Sequence, residues 1–155
     1  MKKRLAVFAS GAGSNAENLI RFFARHSDAE VVLVVSNKSD AGVLQHAGKL
    51  NVPSIVFKKT DFENRDIILP CLQQHRIDII ILAGFLLRIP GFLVEAYPHA
   101  IINIHPALLP KFGGKGMYGM HVHRAVKEAG EIQSGITIHY VDKAYDEGDI
   151  IAQYT

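Results

Sequence analysis

Apolar residues in this chain fall into short unbroken runs, separated by segments in which they recur at helical spacing. Leu5-Ala6-Val7-Phe8-Ala9 and Val31-Val32-Leu33-Val34-Val35 are continuous, and residues 77–83 form the most buried-looking run. Strands covered on both faces have this pattern, without alternation. Residues 16–25 place Leu19, Ile20, Phe22 and Phe23 on a helical stripe, and residues 41–50 do the same with Val43, Leu44, Ala47 and Leu50. The same reading predicts strands at 54–57 and 101–104 and helices at 64–74 and 122–129. Residues 90–96 read as a turn or two of helix, with Pro90 at a permitted first position. Residues 136–141 alternate Ile/Ile/Tyr with Thr/His/Val, a strand with two different faces, and 150–153 are the last apolar run.

Strand–helix alternation predicts one α/β domain over residues 1–155, with a Rossmann-like, doubly wound, mainly parallel sheet. No internal repeat, low-complexity tract or linker interrupts it. Ligands of such sheets bind beyond the carboxyl ends of the strands, so the loops that follow strands are where chemistry is expected.

Composition narrows this picture. Of 155 residues, 48% are hydrophobic and 21% charged, enough for a real core. Lys and Arg total 17 against 15 acidic residues, a net +2, too small to suggest a general nucleic-acid or membrane-surface binder. The single cysteine, Cys71, excludes an internal disulfide and a Cys-based metal cluster. Met1-Lys2-Lys3-Arg4 and the apolar run after it mimic a signal peptide. That run is too short, and a glycine loop follows at once, so the reading is a first strand in a cytoplasmic protein.

Gly11-Ala12-Gly13-Ser14-Asn15-Ala16 joins the first strand to the first helix. Glycines let backbone N–H groups approach an anion, and the helix N-terminus adds positive potential. Ser14 and Asn15 can donate to a phosphate or simply cap the helix. The loop also satisfies G-x-G-x-x-A, but a dinucleotide site wants an acidic residue at the end of the second strand. Here that strand ends Val35-Ser36-Asn37-Lys38, so only an NADP site, with Lys38, would remain. Gly113-Gly114-Lys115-Gly116 lacks Walker A spacing. A phosphate monoester fits best.

Asn103-Ile104-His105-Pro106 closes the fifth strand, and residues two apart share a face. An amide donor beside an imidazole suits acyl transfer, the amide stabilising an oxyanion and the imidazole moving protons. The bland alternative is an Asn that anchors the loop and a structural His. Asp142-Lys143-Ala144-Tyr145-Asp146-Glu147-Gly148-Asp149 follows the sixth strand. It fails the EF-hand pattern and is either a solvated turn or the source of a carboxylate for His105. His121 and His123 lack metal-ligand spacing, and His99 and His139 are open between surface and site.

Taken in order, the glycine loop, Leu82-Ala83-Gly84-Phe85-Leu86-Leu87-Arg88-Ile89-Pro90, Asn103-Ile104-His105-Pro106-Ala107-Leu108-Leu109-Pro110, residues 135–141 and Tyr145-Asp146-Glu147-Gly148 resemble the phosphoribosylglycinamide formyltransferase family. The resemblance covers essentially the whole chain; the segment from Asn103 to Pro110 is shared with other 10-formyltetrahydrofolate enzymes, and the N-terminal loop favours glycinamide ribonucleotide. It implies formyl transfer from 10-formyltetrahydrofolate, as co-substrate and without a metal, to glycinamide ribonucleotide in purine synthesis. Gly13, Ser14 and Asn15 then match the phosphate site, and Asn103, His105 and Asp146 the catalytic trio. Arg65, Leu86, Leu87, Arg88, Ile89, Asn103 and the loop Asp142, Lys143, Ala144, Tyr145, Asp146 match the folate site. This divides the chain into a phosphate-binding half, about residues 1–100, and a folate and catalytic half, about 101–155. Small molecules are the expected partners, with neither nucleic acid nor membrane, and oligomeric state is open between monomer and weak dimer. Two departures stand out: residues 111–119 are a longer, glycine-rich connection that predicts a mobile flap, and the family continues with a further strand and helix after this point. Another formyltransferase, a formyltetrahydrofolate hydrolase and a non-catalytic phosphate-binding module are the alternatives.

Overall fold

The computed structural model describes residues 1–114, 117, 120–142 and 148–155. Along the chain these form β1 (Lys3–Phe8), α1 (Ser14–Ala24), β2 (Ala29–Ser36), α2 (Gly42–Lys49), β3 (Ser54–Val56), α3 (Lys59–Phe62), α4 (Arg65–Gln74), β4 (Ile79–Leu82), α5 (Gly91–Ala96), β5 (Ile101–His105), α6 (Met120–Glu128), β6 (Ile136–Tyr140) and β7 (Ile150–Tyr154). Among the described residues, seven strands make one sheet in the order β3-β2-β1-β4-β5-β6-β7.

Successive residues of β1 face opposite layers, which is the physical content of double winding. Ala6 and Phe8 join Leu33, Ile80 and Leu82 beneath α4 and α5, where Ile68, Leu72 and Leu93 are buried. Leu5 and Val7 join Val31 and Val34 beneath α1 and α2, where Ala16, Ile20, Val43 and Ala47 are buried. Each such fully buried Leu, Ile or Phe contributes about 1.5–3 kcal/mol. The expected α/β fold class therefore holds.

One helix was not foreseen. α3 is a single turn, Lys-Thr-Asp-Phe in sequence, anchored only by buried Phe62. A four-residue helix has no stripe for periodicity to reveal. Asn64 then caps α4, its Oδ1 accepting from Asp66 N at 3.0 Å.

The last third of the sheet departs from the parallel pattern. β1 to β5 pair in parallel, whereas β5–β6 and β6–β7 are antiparallel. A strand, a helical segment and a strand read alike whether the helix crosses over or only turns the chain back. Burial on β6 also differs from hydropathy: Thr137 and His139 are the buried pair, while Ile136 is exposed. Ile150, Ile151 and Tyr154 on β7, the edge strand, are exposed as well. No helix among the described residues is long and apolar enough to cross a membrane.

Candidate active site

β1, β4 and β5 are neighbours in the sheet and run the same way, so the segments that follow them emerge at one edge. The glycine loop follows β1. Gly13 adopts φ 84° at the N-cap of α1, and a Cβ there would lie 2.5 Å from Val43 Cα. Both the left-handed backbone and the close approach of α2 demand glycine. Ser14 and Asn15 are exposed in the first turn of α1, where backbone N–H groups have no partner within the helix. With no side-chain cap at this helix start, the simple capping explanation for Ser14 and Asn15 falls away.

The segment after β4 rests on aromatic packing. Phe85 sits with ring centroids 5.4 Å from Phe8 and 5.1 Å from Phe62. Ile89 is buried in the core, Leu87 half-buried against it, and Leu86 and Arg88 are exposed. Arg65 is the exposed first residue of α4. Ser10 lies between these regions, its hydroxyl accepting from Leu86 N at 2.9 Å and donating to Asn37 Oδ1 at 2.5 Å.

β5 presents Asn103 and His105 on one face, as their spacing requires. The partner strand β6 sets His139 opposite Asn103 and Thr137 opposite His105. Asn103 Nδ2 lies 3.1 Å from His139 Nε2, and His139 Nδ1 lies 2.9 Å from the Tyr140 carbonyl. The carbonyl can only accept, so His139 carries its proton on Nδ1 and takes one amide hydrogen of Asn103 on Nε2. That fixes the amide plane and leaves one amide N–H of Asn103 outside this bond. His105, 2% exposed, donates from Nε2 to the Phe112 carbonyl at 2.7 Å, which makes Nδ1 its basic nitrogen. Phe112 holds that carbonyl in place with φ 57°, a left-handed conformation uncommon for a bulky side chain.

Thr137 braces the same loop. Its hydroxyl donates to the Ala107 carbonyl at 2.7 Å and accepts from Leu109 N at 3.0 Å and Gln153 Nε2 at 2.9 Å. Gln153 also donates to the Leu109 carbonyl at 3.0 Å, and the Leu109–Pro110 bond is cis. Buried polar groups in this half of the molecule thus have partners, as burial requires.

The acidic loop starts from an unexpected place. Because β6 is antiparallel, Val141 returns to the beginning of β5, its N–H donating to the Ile101 carbonyl at 2.9 Å. Asp142 therefore leaves the sheet at the opposite end of β5 from His105. Lys143, Ala144, Tyr145 and Asp146 lie outside the described residues, as do 115, 116, 118 and 119 of the expected flap. His121 and His123 are exposed on α6, and no three potential metal ligands cluster among the described residues.

Sequence reasoning left His139 open and passed over Ser10, Thr137 and Gln153. A signal for His139 and Thr137 did exist, since they share one side of an otherwise apolar strand. Ser10 gave none beyond its place beside the glycine loop.

Residues 3–155 match the profile of the family described as formyl transferase. The chain belongs to that family. Among formyl transferase relatives, it is 46% identical over 158 residues to the chloroplastic phosphoribosylglycinamide formyltransferase of Arabidopsis thaliana, covering 98% of this chain and 54% of that protein. The Bacillus subtilis (strain 168) phosphoribosylglycinamide formyltransferase is 41% identical over 156 residues, covering 97% and 77%. The crystal structure of glycinamide ribonucleotide transformylase 1 from Geobacillus kaustophilus superposes with a TM-score of 0.87 at 40% identity, covering 99% of this chain and 82% of that one. This formyl transferase chain therefore spans about half the length of its plant relative.

Proposed function

We propose that this chain transfers the formyl group of 10-formyltetrahydrofolate to the amino group of glycinamide ribonucleotide, a step of purine synthesis. The observation that carries the reading is the geometry at one sheet edge. A glycine-lined helix N-terminus, suited to a phosphate, follows β1 at the same sheet edge where β5, one strand beyond β4, presents a fixed amide and a buried imidazole. The names of the relatives supply formyl transfer and the ribonucleotide acceptor.

In this reading Gly13, Ser14 and Asn15 hold the ribonucleotide phosphate. Arg65, the segment 86–89 and the loop from Asp142 to Asp146 receive the folate. The donor site thus draws on both halves of the chain, phosphate binding lying within residues 1–100 and catalysis within 101–155. The substrate amine attacks the formyl carbon to give a tetrahedral intermediate. Asn103, held by His139, donates to its oxygen. His105 takes the amine proton on Nδ1, and Asp146 sets the protonation of His105 and passes a proton to N10 as the folate departs. Tyr140 N–H donates to the Asp149 carbonyl at 2.9 Å. The single cysteine favours a reducing compartment, the cytoplasm.

The test is a transfer assay with glycinamide ribonucleotide and 10-formyltetrahydrofolate, following deformylated folate and formylated ribonucleotide in equal amounts. Folate release without formylated product would indicate a hydrolase. Phosphate-ligand binding with no turnover would indicate a binding module.

A further inference from the structure

Ser10 stands between the end of β1 and the glycine loop and is 4% exposed. Its hydroxyl donates to Asn37 Oδ1, 27 residues away, and accepts from Leu86 N, 76 residues away. Its backbone N–H donates to the Gly84 carbonyl at 3.1 Å. One residue thereby ties together the turns that follow β1, β2 and β4. A hydroxyl has one proton to give, and here it goes to Asn37 while the oxygen accepts Leu86. Residues 85 and 86 belong to neither helix nor strand, so no regular backbone ladder holds Leu86 in place of this bond.

We propose that Ser10 is a positioning residue for the transfer reaction, fixing the folate-facing segment 86–89 relative to the phosphate-binding loop. This rests on the reading of those two segments as substrate sites. Its hydroxyl being taken up by Asn37 and Leu86, Ser10 acts through the Leu86 backbone on one side and through Gly11, its chain neighbour, on the other. A donor-facing segment that is not held must be ordered when the folate binds, and that cost falls on donor affinity rather than on the chemical step. A residue that merely stabilised the fold would instead change the amount of active protein and leave affinities alone.

The experiment is Ser10→Ala with two readouts. The first is exchange of the Leu86 amide hydrogen in the free protein, which needs no substrate and is independent of the functional reading. It should quicken by about tenfold or more, while amides in the middle of α1 stay as protected as before. The second is steady-state kinetics. The KM for 10-formyltetrahydrofolate should rise about five- to tenfold, that for glycinamide ribonucleotide about twofold, and kcat should stay within about twofold. Unchanged Leu86 exchange overturns the structural link. Faster exchange with unchanged KM values, or a fall in kcat alone that tracks the folded fraction, overturns the positioning role. A wild-type chain that exchanges as expected but transfers no formyl group overturns the functional reading instead, and the positioning role with it. Should Ser10→Ala not fold, Asn37→Ala frees the hydroxyl proton yet keeps the acceptor for Leu86. Exchange and donor KM should then each rise about two- to threefold, and unchanged values overturn the proposal.

Discussion

The parallel and antiparallel parts of this sheet solve the same problem differently. Around β1 to β4 the sheet buries apolar side chains on both faces and presents its candidate ligand site through backbone. Around β5 to β7 it buries His105, Thr137 and His139, each held by hydrogen bonds to a loop or a neighbouring strand. Backbone donors at a helix start depend on chain conformation, so the first region is fixed by glycine and by packing. An amide and an imidazole proposed to act on a reacting group depend on side-chain orientation, and the second region gives buried volume to their polar partners. Both contribute to one edge of the sheet, which lets stability and chemistry be perturbed separately.

The largest effects should come from the second region. Asn103→Ala and His105→Ala should each lower kcat by about 10²- to 10⁴-fold with the fold intact, measured by transfer kinetics beside circular dichroism. Near-normal turnover in His105→Ala would sink its assigned role. In the first region, Gly13→Ala forces a Cβ against the Val43 backbone at φ 84°. It should cost about 2–4 kcal/mol in urea unfolding and raise the ribonucleotide KM. If that KM stayed the same in a folded variant, the loop would not be the phosphate site. Thr137→Val removes the brace of the His105 loop, leaving Leu109 N–H and Gln153 unpaired at the hydroxyl position. A loss of about 2–3 kcal/mol, or roughly 5–10 °C in Tm, is expected. A smaller loss than Gly13→Ala gives would be consistent, whereas none would mean that the loop does not need the brace.

The smallest effect lies far from the site. Burial raises the Cys71 thiol above its ordinary value of 9.0. The unfolded chain therefore loses this proton first, and stability falls as pH rises past about 9. Burial, followed by the charges of Asp78 and Cys71, raises Tyr97 as well, so it acts in the same direction. Urea unfolding from pH 8 to 10 should show a shallower decline in Cys71→Ser than in the wild type. Identical slopes would place the thiol in ordinary solvent.

Much of the first region was legible in the sequence. Unbroken apolar runs mark doubly covered strands because burial on both faces leaves no position for polar residues, and β1, β2 and β4 follow that rule. Gly13 was legible as part of a glycine loop between strand and helix, whereas the close approach of α2 that demands it emerged only from the structure. Asn103 and His105 share a face because the strand period is two. The sequence by itself thus determined the fold class, most elements and the neighbourhood of the candidate site. The direction of β6 against β5 was settled only in three dimensions, because the helical segment between the two strands reads the same for either return path. So was the inversion on β6, where hydropathy would bury Ile136 but the sheet buries Thr137 and His139 against the loop they hold. The bonds that orient the site join Asn103 to His139 over 36 residues and Ser10 to Leu86 over 76. No local pattern encodes such pairs. They come into being when distant strands align, and tertiary structure alone decides which polar side chains then find each other.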